Sequence, residues 1–115
     1  MLRYARPLYF VLVAAILVIA VVPQADTPIG TPSDKVNHIL AFFTLAFLAK
    51  LLWPHTRVWV PLLWLSAFGG LIEILQGAMA VGRDADWLDF AADVVATFCG
   101  LFAARALLAF RRKRR

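Results

Sequence analysis

A chain of 115 residues has room for one domain, and hydrophobic residues make up 63% of this one, against roughly 45–50% in soluble domains. At a mean hydropathy of +0.79, a water-soluble fold of this size would leave too much apolar side chain on its surface, so a bilayer is the solvent that fits. The formal charge of +5 is placed as membrane topology requires, and no nucleic-acid recognition motif accompanies it, so no nucleic-acid partner is expected.

Four apolar stretches follow one another. The first, Leu8 to Val22, comes after Arg3 and Arg6. It falls short of the roughly 17–25 residues that span a membrane unless Tyr4 and Ala5 join it. Basic residues before a short apolar run also suit a secretory leader. The region Val21-Val22-Pro23-Gln24-Ala25 makes a poor cleavage site, however, and a retained helix over about 5–22 is expected. Pro23, Pro28, Gly30 and Pro32 mark an extended loop.

Ser33-Asp34 then offers a cap for a helix over about 35–53. It carries Asn37 and His38 at its start and Lys50 near its end. Pro54 to Arg57 makes a tight link, with Trp53 and Trp59 as interfacial anchors. The third stretch predicts a helix over 58–81 and contains Glu73 and Gln76. Gly82 to Trp87 links it to a fourth, over 87–110, which Asp86 is placed to cap and which contains Asp89, Asp93 and Arg105. Stretches two to four meet the spanning length. Cys99, the single cysteine, reads as a small packing residue inside this last helix. The expected architecture is all-α: one integral-membrane four-helix bundle over residues 1–115.

If four helices alternate in direction, Arg3, Arg6, Lys50, Arg57, Arg105 and the run Arg111-Arg112-Lys113-Arg114-Arg115 share one face, with no acidic residue among them. The opposite face holds Asp26, Asp34, Glu73, Asp84, Asp86, Asp89 and Asp93, with Lys35 and Arg83. Lys and Arg of short loops stay in the cytoplasm, which puts both termini inside, in a bacterial cytoplasmic (inner) membrane. The basic tail also suits anionic lipid head groups.

An ionisable side chain at membrane depth costs about 2.5–3.5 kcal/mol or more unless it faces protein or water. Glu73 lies roughly 13 Å from the helix end at Gly82, with Gln76 on its face. Gly69, Gly70, Gly77 and Ala80 on or near that face would admit a close neighbour. Asp86, Asp89 and Asp93 form a stripe on the fourth helix that Ala96 and Gly100 continue. Asp34, His38 and Phe42 make a row on the second. The three stripes meet at one end and predict an outward-facing polar pocket.

Asp34-Lys35-Val36-Asn37-His38, followed by Phe42, resembles the first signature of the VanZ-like family. Glu73-Ile74-Leu75-Gln76, then Gly82-Arg83 and Asp89, resembles the second. In that family the position four after Asp89 is typically Asn, followed by two glycines. Here it is Asp93, then Ala96, then a matching Gly100. The resemblance spans Asp34 to Gly100 and implies a polar site of Asp34, Lys35, His38, Glu73, Gln76, Arg83, Asp89 and Asp93. The family is named for a link to low-level resistance to teicoplanin, a lipid-tailed glycopeptide; its members have no established biochemical activity, and resistance in this chain is not implied.

The favoured expectation is a binding module for a lipid head group, a lipid-linked envelope precursor or an amphiphilic drug such as a lipoglycopeptide. Arg83 and Lys35 would meet phosphate or carboxylate. An envelope-lipid enzyme using His38 with Glu73 or Asp89 is the alternative, although no Ser, Cys or Thr falls in a nucleophile motif. A purely structural polar cluster is a third reading. A transporter fits poorly, because Lys50 and Arg105, both expected to snorkel, are the only polar residues of the inner half. A hard cation held by His38, Glu73, Asp89 and Asp93 lacks a local ligand motif, so no cofactor is expected.

Overall fold

The structure, a computed structural model, describes residues 2–21, 34–79 and 87–115. These form four helices: α1 (Leu2–Val21), α2 (Asp34–Leu52), α3 (Trp59–Met79) and α4 (Trp87–Lys113). Three of them, α1, α3 and α4, are long and apolar enough to cross a membrane, whereas the apolar part of α2 is the shorter Val36–Leu52. Tyr4 and Ala5 do join the first helix, as its spanning length requires, whereas the second stretch, expected to meet that length, falls short of it. The residues before Leu8 wind into α1, and the polar start of α2 takes its first turn out of the apolar length.

Two prolines lie within these helices without ending them. Pro61 is the third residue of α3, where the backbone N–H has no helical partner in any case. Pro7 lies in the second turn of α1, so only the carbonyl of Arg3 loses its helical donor.

Contacts between helices fix their directions. The Tyr9 hydroxyl donates to the Leu45 carbonyl at 2.9 Å, and the Arg6 guanidinium donates to the Leu52 carbonyl at 3.2 and 3.0 Å, so α1 runs antiparallel to α2. Gln76 Nε2 donates to the Ala20 carbonyl at 2.9 Å, and Trp64 packs on Phe10, so α1 and α3 are parallel. Gly69 lies beside Asp93 and Gly70 beside Phe90, as antiparallel α3 and α4 require. Helices α2 and α4 run parallel and share the most extensive interface. The result is an up-down-up-down bundle in which the start of α1, the 53–58 link and the end of α4 share one end. Of the ten basic residues that the sequence assigns to one face, Arg3, Arg6, Arg57 and the run Arg111 to Arg115 belong to those segments, Lys50 lies in the last turn of α2, and Arg105 lies about two turns before the end of α4.

In lipid, helices are held by close packing and interhelical hydrogen bonds rather than by exclusion of water. Gly100 is where this matters most. A Cβ there would collide with the Phe43 carbonyl oxygen and stand 3.0 Å from the Ala46 Cβ, so the two backbones touch at this level. Ala46, Ala49, Ala96 and Ala104 are all buried, and Phe42, Leu45, Leu65, Ile72 and Leu101 fill the space between helices.

The basic end carries an aromatic cluster. Tyr9 meets Trp53 edge-on at 5.4 Å between ring centroids, and Arg6 lies 5.4 Å over the Trp53 ring. Trp53 is therefore packed against α1, while Trp59 is exposed. Lys50 does not snorkel. It is buried, and its Nζ donates to the Pro54 and Thr56 carbonyls at 3.0 and 2.8 Å, which satisfies the link that follows α2. Arg105 is exposed and rests over Phe102. Cys99 is exposed on the outer side of α4, not packed inside the bundle, because the inward face of α4 runs through Asp93, Ala96, Thr97, Gly100, Leu101 and Ala104.

Gly100→Ala is expected to destabilise the protein by roughly 1–3 kcal/mol, the range for overpacking, because backbone blocks the new methyl. Gly70→Ala, whose Cβ would meet the Phe90 ring at 3.6 Å, is expected to be nearly neutral. Reversible unfolding of the detergent-solubilised variants measures both.

Candidate functional site

The α2–α4 contact at Gly100 sets what happens two turns nearer the helix starts. Seven residues before Gly100 on α4 is Asp93, about 10 Å along the axis, and at that level α2 presents His38. His38 Nδ1 lies 3.4 Å from Asp93 Oδ1 and 4.0 Å from Glu73 Oε1. One ligand-type atom from each of His38, Glu73 and Asp93 falls within 4.8 Å of the other two. Three helices thus bring three ionisable side chains to one point.

The cluster is removed from solvent: His38 is 7% exposed, Glu73 8% and Asp93 0%. Each buried position has a local cause. Asp93 fits because α3 offers Gly69, where a Cβ would stand 3.2 Å from Asp93 Oδ2 and 3.4 Å from Phe42 Cζ. The His38 ring lies 6.5 Å from that of Phe42, one turn on along α2, so an aromatic floor closes the cluster on the side of the core. Thr97 gives its hydroxyl to the Asp93 carbonyl at 2.7 Å, which satisfies it within α4 and keeps it out of the cluster.

Gln76, one turn beyond Glu73, is fully buried. Its Nε2 is tied to Ala20, which orients the amide. Its Oε1 is buried and has no hydrogen-bond partner among the described residues. Asp89 sits in the first turn of α4, 9% exposed, where a helix start favours negative charge. It stands one turn from Asp93 but is not one of the three residues that converge.

Of the eight sequence-predicted site residues, the structure thus brings His38, Glu73 and Asp93 together and buries Gln76 and Asp89 nearby. Arg83 and the side chains of Asp34 and Lys35 lie outside the described residues, as do Ala80, Gly82 and Asp86. Gly77 is exposed, so it does not belong to the face that meets α4. The floor of Phe42 and Gly69 is legible only weakly in the sequence, as a small residue four before Glu73 and an aromatic four after His38.

A feature that the sequence did not signal adjoins the cluster. Ile39 and Phe43 of α2 and Ala91, Ala92, Val95, Ala96 and Cys99 of α4 line a groove of about 360 Å³. Every wall residue is apolar or a thiol, and Ile39 and Ala92 are chain neighbours of His38 and Asp93. At the other end of the bundle, Tyr9, Phe10, Trp53, Val60, Pro61 and Trp64 help line an aromatic cleft of about 230 Å³.

Comparison with protein-family models, with curated proteins and with solved structures finds no match. The chemistry of the site therefore rests on its own residues. Two carboxylates and an imidazole in an apolar surrounding form an acceptor-rich centre, able to hold hydroxyl or amine donors or a cation.

Removing one member of a buried ionic set leaves the others in low dielectric, which typically costs about 3–5 kcal/mol. His38→Ala and Asp93→Ala are each expected to destabilise strongly, and together by less than their sum. A double-mutant cycle in the unfolding free energy is expected to give a coupling of about 0.5–3 kcal/mol, and additivity would mean the two side chains do not interact.

Proposed function

We propose that this chain is a multi-pass protein of a bacterial cytoplasmic membrane, VanZ-like in kind, that binds a membrane amphiphile. The head group of a lipid or lipid-linked envelope component enters beside Asp89, and its apolar chain lies in the groove between α2 and α4. One observation carries this reading: the acceptor-rich centre and the largely apolar groove both draw on α2 and α4, with His38 next to Ile39 and Asp93 next to Ala92 in the chain. A polar head joined to a hydrocarbon tail is the ligand form that matches such a pair. Carboxylates accept hydrogen bonds from hydroxyl or amine groups, and Arg83, in the link before α4, is the cation that the sequence supplies for a phosphate. A lipid-tailed glycopeptide has the same two-part form, which is how the resemblance to the VanZ-like family bears on the ligand.

Binding is favoured over catalysis because, among the described residues, no Ser, Thr or Cys side chain is offered to the centre as a hydroxyl or thiol nucleophile. The Thr97 hydroxyl is engaged with backbone, and Cys99 faces outward. Orientation follows from the shared basic end, which belongs in the cytoplasm and so turns the polar centre toward the outer leaflet.

Two measurements test this reading. Protein extracted in mild detergent is expected to carry a selected lipid in native mass spectra. Ala92→Trp, which fills the groove, and Asp89→Asn, which weakens the head-group acceptor, are expected to reduce its retention several-fold at unchanged helicity. An unselective lipid mixture that neither change alters would refute the proposed site. For topology, Arg57→Cys in a Cys99→Ala background is expected to resist a membrane-impermeant thiol reagent on intact cells and to react after permeabilisation. Labelling on intact cells would invert the orientation.

A further inference from the structure

We infer that His38, Glu73 and Asp93 form a binding site for a divalent transition-metal cation, of the Zn²⁺ or Mn²⁺ class. The inference goes beyond amphiphile binding and does not depend on it. A cation about 2.1 Å from its nitrogen and oxygen ligands holds neighbouring ligand atoms roughly 3.0–3.4 Å apart. The 3.4 Å from His38 Nδ1 to Asp93 Oδ1 meets that spacing, and Glu73 Oε1, 4.0 Å from the same nitrogen, has to close by about half an ångström. The three donors come from α2, α3 and α4, and all three residues are more than nine-tenths buried, so the ligand set is built by the fold rather than by a surface loop.

Charge points the same way. Two carboxylates share a small volume inside an apolar bundle, and one divalent ion brings the set to neutrality with His38 as a neutral imidazole. Gln76 supplies an independent observation. Its amide is fully buried on the Glu73 face of α3, oriented by the bond from Nε2 to Ala20, with Oε1 lacking a hydrogen-bond partner among the described residues. This leaves a buried neutral oxygen one turn from Glu73 on the same helix as a candidate further ligand. Gly69 leaves the room that Asp93 occupies, since a Cβ there would press on Asp93 Oδ2. Imidazole with hard oxygens suits first-row divalent ions, and the outward-facing Cys99 leaves no thiolate in the set to favour a soft one.

The test uses the full chain in lipid nanodiscs, depleted with a chelator and titrated with ZnCl₂ by calorimetry and with CoCl₂ by visible absorption. One ion per chain is expected to bind, with a cobalt spectrum of nitrogen and oxygen ligation. Zinc is expected to raise the unfolding temperature, as a ligand of the folded state must. His38→Gln, Glu73→Gln and Asp93→Asn are each expected to weaken binding at least about tenfold. His55→Gln, at an exposed position in the link between α2 and α3, is expected to leave it unchanged. Wild-type protein that takes up no stoichiometric zinc, or a His38→Gln/Asp93→Asn double variant that binds it equally well, overturns the inference. A variant that fails to fold leaves the wild-type titration and cobalt spectrum to decide. Lipid retention measured on chelator-treated protein separates this result from the amphiphile reading, because either one can fail while the other stands.

Discussion

The touching of two backbones at Gly100 is the contact on which the rest of this bundle depends. Helices α2 and α4 run parallel, and only a residue without a side chain lets α4 rest against the Phe43 carbonyl. That contact sets the register, and the register puts Asp93 level with His38 two turns away. Were α4 held off by a side chain at this point, the cluster would open and its carboxylates would meet lipid. Packing in the apolar part of the molecule thus decides the electrostatics of its polar part. The two cannot be varied separately.

Polar side chains do two kinds of work here, in different halves. At the basic end, Arg6 and Lys50 satisfy backbone carbonyls where α2 stops, and Tyr9 ties α1 to α2. Such bonds complete helix ends and turns that would otherwise leave acceptors bare at an interface. At the other end, His38, Glu73 and Asp93 are set within reach of one another. They converge on one another, and an apolar floor separates them from the core. Structural polar residues in membrane bundles usually bond across a helix pair. A point where three helices each deliver an ionisable group is more than that glue requires, which supports a ligand at this place.

The sequence by itself determined the class of the molecule and the number of its helices. Composition pointed to a bilayer, and three of the helices are long and apolar enough to cross one; four apolar runs broken by proline- and glycine-rich links gave four helices. The i, i+3 and i+4 spacing of Asp89, Asp93, Glu73 and Gln76 marked which faces were polar, because intramembrane charge is too costly to be incidental. Tertiary structure decided what local pattern does not contain. Sequence spacing places Asp89 and Asp93 on one stripe, but only the height at which α2 crosses α4 selects Asp93 to meet His38 and leaves Asp89 one turn away. The outward turn of Cys99, the burial of Lys50 on loop carbonyls and the groove beside His38 are likewise products of rotation and register between helices. Lipid and protein neighbours are equally apolar, so a membrane helix's hydrophobic pattern does not say which side faces which. That choice falls to small residues such as Gly100 and Gly69, whose effect exists only when a second helix is there to approach them.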